Sequence, residues 1–300
     1  MTVLRVRGLA VPPSIMLARF ADDPKVGEAR GPVSFELWPD AKAMRADLAA
    51  GAVDLAVIPT NVAAALYNAN VGVRLLAVTV WGILHVLTTR DFGDWPGLAA
   101  ARIAIPLKGN MPDTIFSVLA PKLGLDPESA ALSYPASYAA AKDALLAGEV
   151  DAAVLPEPVA SAALAEGTAA GAPVRRLFDL QTEWARAMGG LARFPQAGAV
   201  ATGPLTDADP ETVALLVSAL RQANGWMGAD PVAAGRLGAT LLGGPSAAVI
   251  TESLRTGTWD TLSALDARPE LEAFYRTLIE RAPGLVDGGL PDDEFYLGKG

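Results

Sequence analysis

The sequence predicts an α/β protein of two Rossmann-like lobes with mainly parallel sheets, a cleft between them, two crossover strands as a hinge, and a helical C-terminal segment. Three observations carry this expectation. A fifteen-residue phrase occurs twice, 97 positions apart, as GAVDLAVIPTNVAAA (Gly51 to Ala65) and GEVDAAVLPEPVASA (Gly148 to Ala162), with nine positions identical. The stretches ahead of the copies, FELWPDAKAMRADLAAG and ALSYPASYAAAKDALLAG, match in kind: strand, aromatic-Pro, helix, Gly. Beyond about residue 205 the signals are those of helix starts.

The elements follow in order. LRVRGLA reads as a strand, and VPPSIMLARF as a Pro-rich loop entering a helix. After FELW, Asp40 is positioned to cap a helix whose apolar face is Ala41, Met44 and Leu48, spaced i, i+3, i+7. Gly51 suits the left-handed residue that closes that helix. VDLAVIP is a buried strand, stopped by Pro59. RLLAVTV and ILHVLTT read as two further strands rather than a membrane span, since Arg74, Thr79, Gly82 and His85 interrupt them. Trp95-Pro96-Gly97 signals a turn.

The second lobe repeats the plan. RIAIPLK is a strand and GNMPDTIFSVLA its helix; Ser137 caps a helix with Ala141, Ala144 and Leu145 on one face; Gly148 closes it; VDAAVLP follows. Each lobe is thus a β-α-β-α-β unit, whose crossover helices require parallel strands. Ala192 to Leu205 reads as a returning strand. Asp209-Pro210, Asp230-Pro231 and Pro245-Ser246 open three helices, and a fourth covers about 269–281. The expected partition is 1–90 with 196–300 for lobe one and 91–195 for lobe two. Two crossings make a natural hinge, since few dihedrals need change to open or close a cleft.

Composition removes several function classes. Net charge is −9 and no Lys/Arg cluster occurs, which argues against a nucleic-acid binder. The chain has no cysteine, so disulfides, thiolate metal sites and Cys nucleophiles are excluded. A single histidine, His85, with no cysteine argues against a transition-metal site and against any cofactor held by such ligands. No Ser-His-Asp set, P-loop or GxGxxG fingerprint occurs. The start MTVLRV has no basic segment leading into an apolar run. It reads either as cytoplasmic, or as periplasmic or membrane-associated outside the cell if an export signal has been removed.

LAAGAVDLAVIPTNVAAAL, KGNMPDTIFSVLAPKLGLDP, LLAGEVDAAVLPEPVASAAL and the closing LPDDEFYLGKG resemble the type II periplasmic substrate-binding proteins of ABC importers. The likeness is to the nitrate/sulfonate/thiamine-precursor class. It implies a monomer without cofactor that closes two lobes on a small polar organic solute and delivers it to an ABC permease and its ATPase. It also implies that the chain is not an enzyme.

In open α/β sheets ligands bind outside the carboxyl ends of the strands. The expected loops therefore offer Pro13, Ser14, Trp38, Asp40, Thr60 and Asn61 in lobe one. Lobe two offers Lys108, Gly109, Asn110, Met111, Tyr138 and Glu157, and Gln196 flanks the return crossing with Arg193. Gly109-Asn110 precedes a helix start whose free N–H groups suit an anion, with Lys108 beside it, or form an ordinary cap. Thr60 and Asn61 offer hydrogen bonds to a ligand or to their own helix. Glu157 replaces Thr60 in the repeat: it would hold an amine or ring N–H, or stand in solvent. Trp38, Tyr138 and Trp81 are candidates to stack on a planar solute, with core packing the stronger reading for Trp81; His85 reads as a packed or hinge residue rather than a catalyst or ligand. Trp184 is open. Two other readings remain: an enzyme on the same fold, as in the futalosine route to menaquinone, and the sensory domain of a receptor.

Overall fold

A computed structural model describes residues 3–172, 174–189 and 193–298. The first 81 residues form β1 (Leu4–Leu9), α1 (Pro13–Ala21), α2 (Pro24–Arg30), β2 (Val33–Trp38), α3 (Ala41–Ala49), β3 (Leu55–Pro59), α4 (Thr60–Asn68) and most of β4 (Val73–Gly82). There follow β5 (Leu84–Thr88), β6 (Arg102–Ala104), α5 (Met111–Lys122), β7 (Ala131–Ser133), α6 (Tyr138–Leu146), β8 (Ala152–Pro156), α7 (Val159–Ala169), β9 (Arg175–Asp179) and α8 (Leu180–Ala187). The chain ends with β10 (Ala197–Thr202), α9 (Pro210–Ala229), α10 (Pro231–Leu242), α11 (Ala247–Thr256), β11 (Thr258–Ser263) and α12 (Arg268–Arg281).

The chain divides into two compact units: residues up to Trp81 with those from Pro195, and Gly82–Phe194. The first crossing thus falls between Trp81 and Gly82 rather than at residue 90. The reason is β5, which pairs with β8 and β9 in the second sheet. The second unit's sheet has the order β7-β6-β8-β5-β9, and the first unit's β11-β4-β10-β3-β1-β2. In both, three neighbouring strands run parallel: β2-β1-β3 and β7-β6-β8. In both, the strand that follows a crossing is inserted antiparallel beside them, β10 against β3 and β4, β5 against β8 and β9. The two sheets therefore share one plan, with β11 added at the first unit's edge.

The repeated Gly and Asp have a common physical task. Gly51 and Gly148 adopt positive φ, 63° and 71°, the left-handed closure that a side chain disfavours. Their carbonyls accept from an arginine at the base of the central parallel strand of each unit, β1 and β6: Arg5 Nη2 to Gly51 O and Arg102 Nη2 to Gly148 O, each 3.0 Å. The same guanidinium grips the repeated Asp, Arg5 to Asp54 Oδ1 at 2.7 Å and Arg102 to Asp151 Oδ1 at 2.9 Å. Each Asp also accepts the backbone N–H of that arginine, at 2.7 and 2.9 Å. The fork-to-carboxylate geometry is bidentate, the strong form of the pair. Bonding to Arg102, aided by Arg90, holds the Asp151 carboxyl well below the usual carboxylate range, against the effect of its burial.

The expected caps form: Asp40 accepts from Ala43 N at 2.8 Å and Ser137 from Ala140 N at 3.1 Å. Asp209, Asp230 and Ser246 cap α9, α10 and α11. The C-terminal segment is not helical throughout, since β11 intervenes. Its Asp260 carbonyl accepts from Trp81 Nε1 at 3.1 Å, which fixes Trp81 as a packed residue. The returning strand covers Ala197–Thr202; Ala192 lies outside the described residues. The closing segment is tied to α4, where Asn68 Nδ2 donates to Val286 O and Gly289 O at 2.7 and 2.9 Å. Lys299 and Gly300 lie outside the described residues. The first unit's core gathers Val6, Leu17, Phe20, Leu55, Leu76, Leu216, Leu220 and Ile250, and the second's Leu87, Ala104, Leu145, Ala153 and Leu155. No helix among the described residues is long and apolar enough to cross a membrane.

Candidate functional site

Parallel order puts three strand-to-helix loops at one edge of each sheet. In the first unit these lead β1 into α1, β2 into α3 and β3 into α4. Pro13 and Ser14 begin α1, and both are buried. Ser14 Oγ donates to Leu9 O, which ties the helix start back to the strand end. Thr60 is fully buried. Its hydroxyl donates to Pro195 O, its N–H to Gln196 O at 3.1 Å, and its carbonyl accepts from Tyr275 Oη at 3.1 Å. Gln196, half-buried, donates its own N–H to Val80 O at 2.9 Å. Thr60 and Gln196 are therefore brought together, as backbone ties between β3 and the returning chain. Asn61 Nδ2 donates to Leu285 O at 3.2 Å.

Two first-unit candidates separate in fate. Asp40 is exposed at the edge, its Oδ1 engaged as the cap of α3. Trp38 offers no stacking face: it is 2 % exposed, and its Nε1 donates to Asp47 Oδ2 at 2.7 Å. Burial of the indole needs a partner for its N–H, and α3 supplies one.

In the second unit Lys108, Gly109 and Asn110 are exposed between β6 and α5, and Met111, half-buried, opens the helix. Gly109 takes φ 77°, which turns its N–H toward Asp113 Oδ2 at 2.8 Å. Asn110 is the N-terminal flanking residue of α5, and its side chain makes no capping bond. Leu107 N–H donates to Pro135 O at 3.0 Å, joining this loop to the one that leads from β7 into α6. Tyr138 begins α6, and burial raises its phenol pKa. The ammonium of Lys108 lies 4.7 Å from the ring centroid of Tyr134, an exposed aromatic at the same edge.

Glu157 is neither in solvent nor presented to a ligand. Its side chain is buried. Oε1 accepts from Arg176 Nη2 at 2.6 Å and Oε2 from Ser161 N at 3.1 Å, so the carboxylate caps the first turn of α7. Arg176 also donates to Ser161 Oγ at 2.8 Å. His85 Nε2 lies 3.4 Å from Glu157 Oε1, and neither ring nitrogen has a hydrogen-bond partner among the described residues. Burial makes His85 a weaker base than a free imidazole, and Arg176 adds to this, against the opposing pull of Glu157 and Asp179.

Sequence reasoning thus passed over two residues of this edge. Tyr134 stood in the aromatic-Pro pair that helped to define the repeat. Arg176 had no signal, because an arginine in a strand reads as a solvent-facing residue. A separate hollow of about 460 Å³, walled by Arg19, Asp22, Lys25 and Trp226, lies in the first unit where α1 ends. Since α1 runs back from the carboxyl end of β1, that hollow is at the other end of the sheet. The described residues hold no cluster of three or more His, Cys, Asp or Glu side chains fit for a metal ion.

Solved structures share this fold across nearly the whole chain. An ABC transporter protein from Parabacteroides distasonis has a TM-score of 0.81 at 23% identity, covering 98% of this chain and 98% of its own. The periplasmic aliphatic sulphonate binding protein SsuA from Escherichia coli has a TM-score of 0.69 at 19% identity, covering 96% and 99%. The desulfurization enzyme DSZB has a TM-score of 0.63 at 16% identity, covering 94% and 92%. These likenesses establish the fold, a two-unit α/β architecture that carries both binding proteins and an enzyme. No protein-family model matches the chain, and no curated protein sequence matches it.

Proposed function

We propose that this chain is the solute-binding component of an ABC-type importer. Its two compact units serve as the two lobes of such a protein. It takes a small polar organic molecule, unaltered, on the loops at the strand carboxyl ends and hands it to a permease with its ATPase. The reading carries with it a periplasmic site of action and a monomeric state. One observation supports it above the rest: the acidic groups of these loops are committed to structure. Asp40 caps α3, Asp113 accepts from Gly109 N, and Glu157 is enclosed by Arg176 and Ser161. Proton transfer needs an acid or base within reach of the substrate, whereas Lys108, Asn110 and Tyr134 offer contacts suited to holding one. Alkyl sulfonates, the solutes named for the Escherichia coli neighbour, are the first class to screen.

The likeness to DSZB favours a second reading, an enzyme on the same fold. Native mass spectrometry of the purified protein separates the two. A stoichiometric solute, released unchanged and rebound, is the expected result. Conversion of that solute on incubation would move the enzyme reading ahead.

A further inference from the structure

Each unit has an aromatic-Pro pair where its outer parallel strand ends, Trp38-Pro39 and Tyr134-Pro135, but the pairs are one position out of register: with Arg5 matched to Arg102, Tyr134 answers to Leu37 and Trp38 to Pro135. Trp38 is buried and its N–H is satisfied by Asp47 on α3. Tyr134 is 36 % exposed. Packing accounts for Trp38, whereas Tyr134 stands partly in solvent.

What surrounds Tyr134 is chemically specific. The Lys108 ammonium rests 4.7 Å from the ring centroid and makes no ion pair among the described residues. A cation on a ring face is held by the ring's quadrupole, and remains open to an anion. Asn110, whose side chain does not cap α5, sits in the loop joined to Pro135 through Leu107. Among the described residues Asp113 is the carboxylate that acts on Tyr134, and its Oδ2 is already engaged by Gly109 N. Partial burial, with that charge, raises the Tyr134 phenol pKa, so the hydroxyl remains a donor at neutral pH.

We infer that Tyr134 and Lys108 form the specificity-determining shelf of the solute site and select a planar ring bearing an acidic group, the ring against Tyr134 and the acid on Lys108. This rests on the solute-binding reading above and narrows its ligand class.

Calorimetric titration of the full chain with benzoate, cyclohexanecarboxylate and benzylamine tests it. Benzoate should bind more tightly than cyclohexanecarboxylate, which has the charge without the flat ring, and than benzylamine, which has the ring with the opposite charge. Tyr134→Ala should weaken benzoate about three- to tenfold and erase its advantage over cyclohexanecarboxylate. Tyr134→Phe should retain that advantage. Lys108→Met should weaken benzoate about tenfold, with the circular dichroism of the wild type. Unchanged benzoate affinity in Tyr134→Ala, or no benzoate binding by the wild type, overturns the inference. The wider reading fails separately: a co-purified solute that is neither planar nor acidic sinks the shelf alone, while conversion of that solute sinks the binding function itself.

Discussion

Replacing Arg176 with alanine is expected to destabilise the protein by about 3 kcal/mol or more, because it leaves a buried acidic group without its cation. Glu157 has no exposed side-chain surface, and Arg176 supplies its 2.6 Å contact. Removing one partner of a buried pair costs more than the pair contributes in net terms. Denaturant unfolding measures the loss. Adding Glu157→Gln to Arg176→Ala should restore part of it, since a neutral amide needs no counter-charge. A double variant as unstable as the single one would show that the ion pair is not the cause.

His85 provides a second readout of the same change. It is the chain's one histidine, so its imidazole resonance is unambiguous. Removal of the guanidinium takes away a positive charge that disfavours protonation, so the His85 pKa should rise in Arg176→Ala. In the wild type the folded imidazole is the weaker base. Protons therefore favour the unfolded chain as pH falls below about 6.5, the free imidazole's value. Stability supplied by neutral His85 is full above that pH and is lost as pH drops through it toward the folded pKa. The slope should be shallower in the variant.

Trp95→Ala is expected to cost about 3–5 kcal/mol. The indole is fully buried, stacked on Phe178 with ring centroids 4.9 Å apart and planes 1° from parallel, and tilted against Phe116 at 5.5 Å. Its Nε1 donates to the buried Glu183 Oε2 at 2.8 Å, so truncation opens a cavity and strips that carboxylate of a donor. Trp95→Phe keeps most of the volume and loses the N–H, and should fall between wild type and alanine. Urea unfolding ranks the three. A wild-type midpoint in Trp95→Ala would contradict this packing.

Local signals with a local cause were legible in the sequence. Gly51 and Gly148 were read as helix closures because only backbone geometry decides them, and Asp40 and Ser137 as caps because their acceptors serve the next turn. The repeated Asp54 and Asp151 were seen as a pattern, but their partners Arg5 and Arg102 lie 49 residues away and share no motif with them. Sheet membership was harder. ILHVLTT is mainly apolar, which says that β5 is buried without saying in which sheet. β11 was missed because TWDTLS is short and flanked by helical signals, and its partner strand β4 lies far back in the chain. Side-chain direction was not legible: the aromatic-Pro pairs look alike in the sequence, but Tyr134 stands one position out of register with Trp38, in the place of Leu37. Glu157 stood at an edge loop by topology and turned inward because Arg176 from β9 meets it there.

The central claim is that solute binds on the strand-end loops. Hydrogen exchange read by mass spectrometry, with and without the solute released from the purified protein, tests it most directly. Protection should concentrate in 107–113 and 134–140, and in the corresponding loops 9–14, 38–41 and 59–62. Protection confined to the hollow walled by Arg19, Lys25 and Trp226, with the loops unchanged, would contradict it.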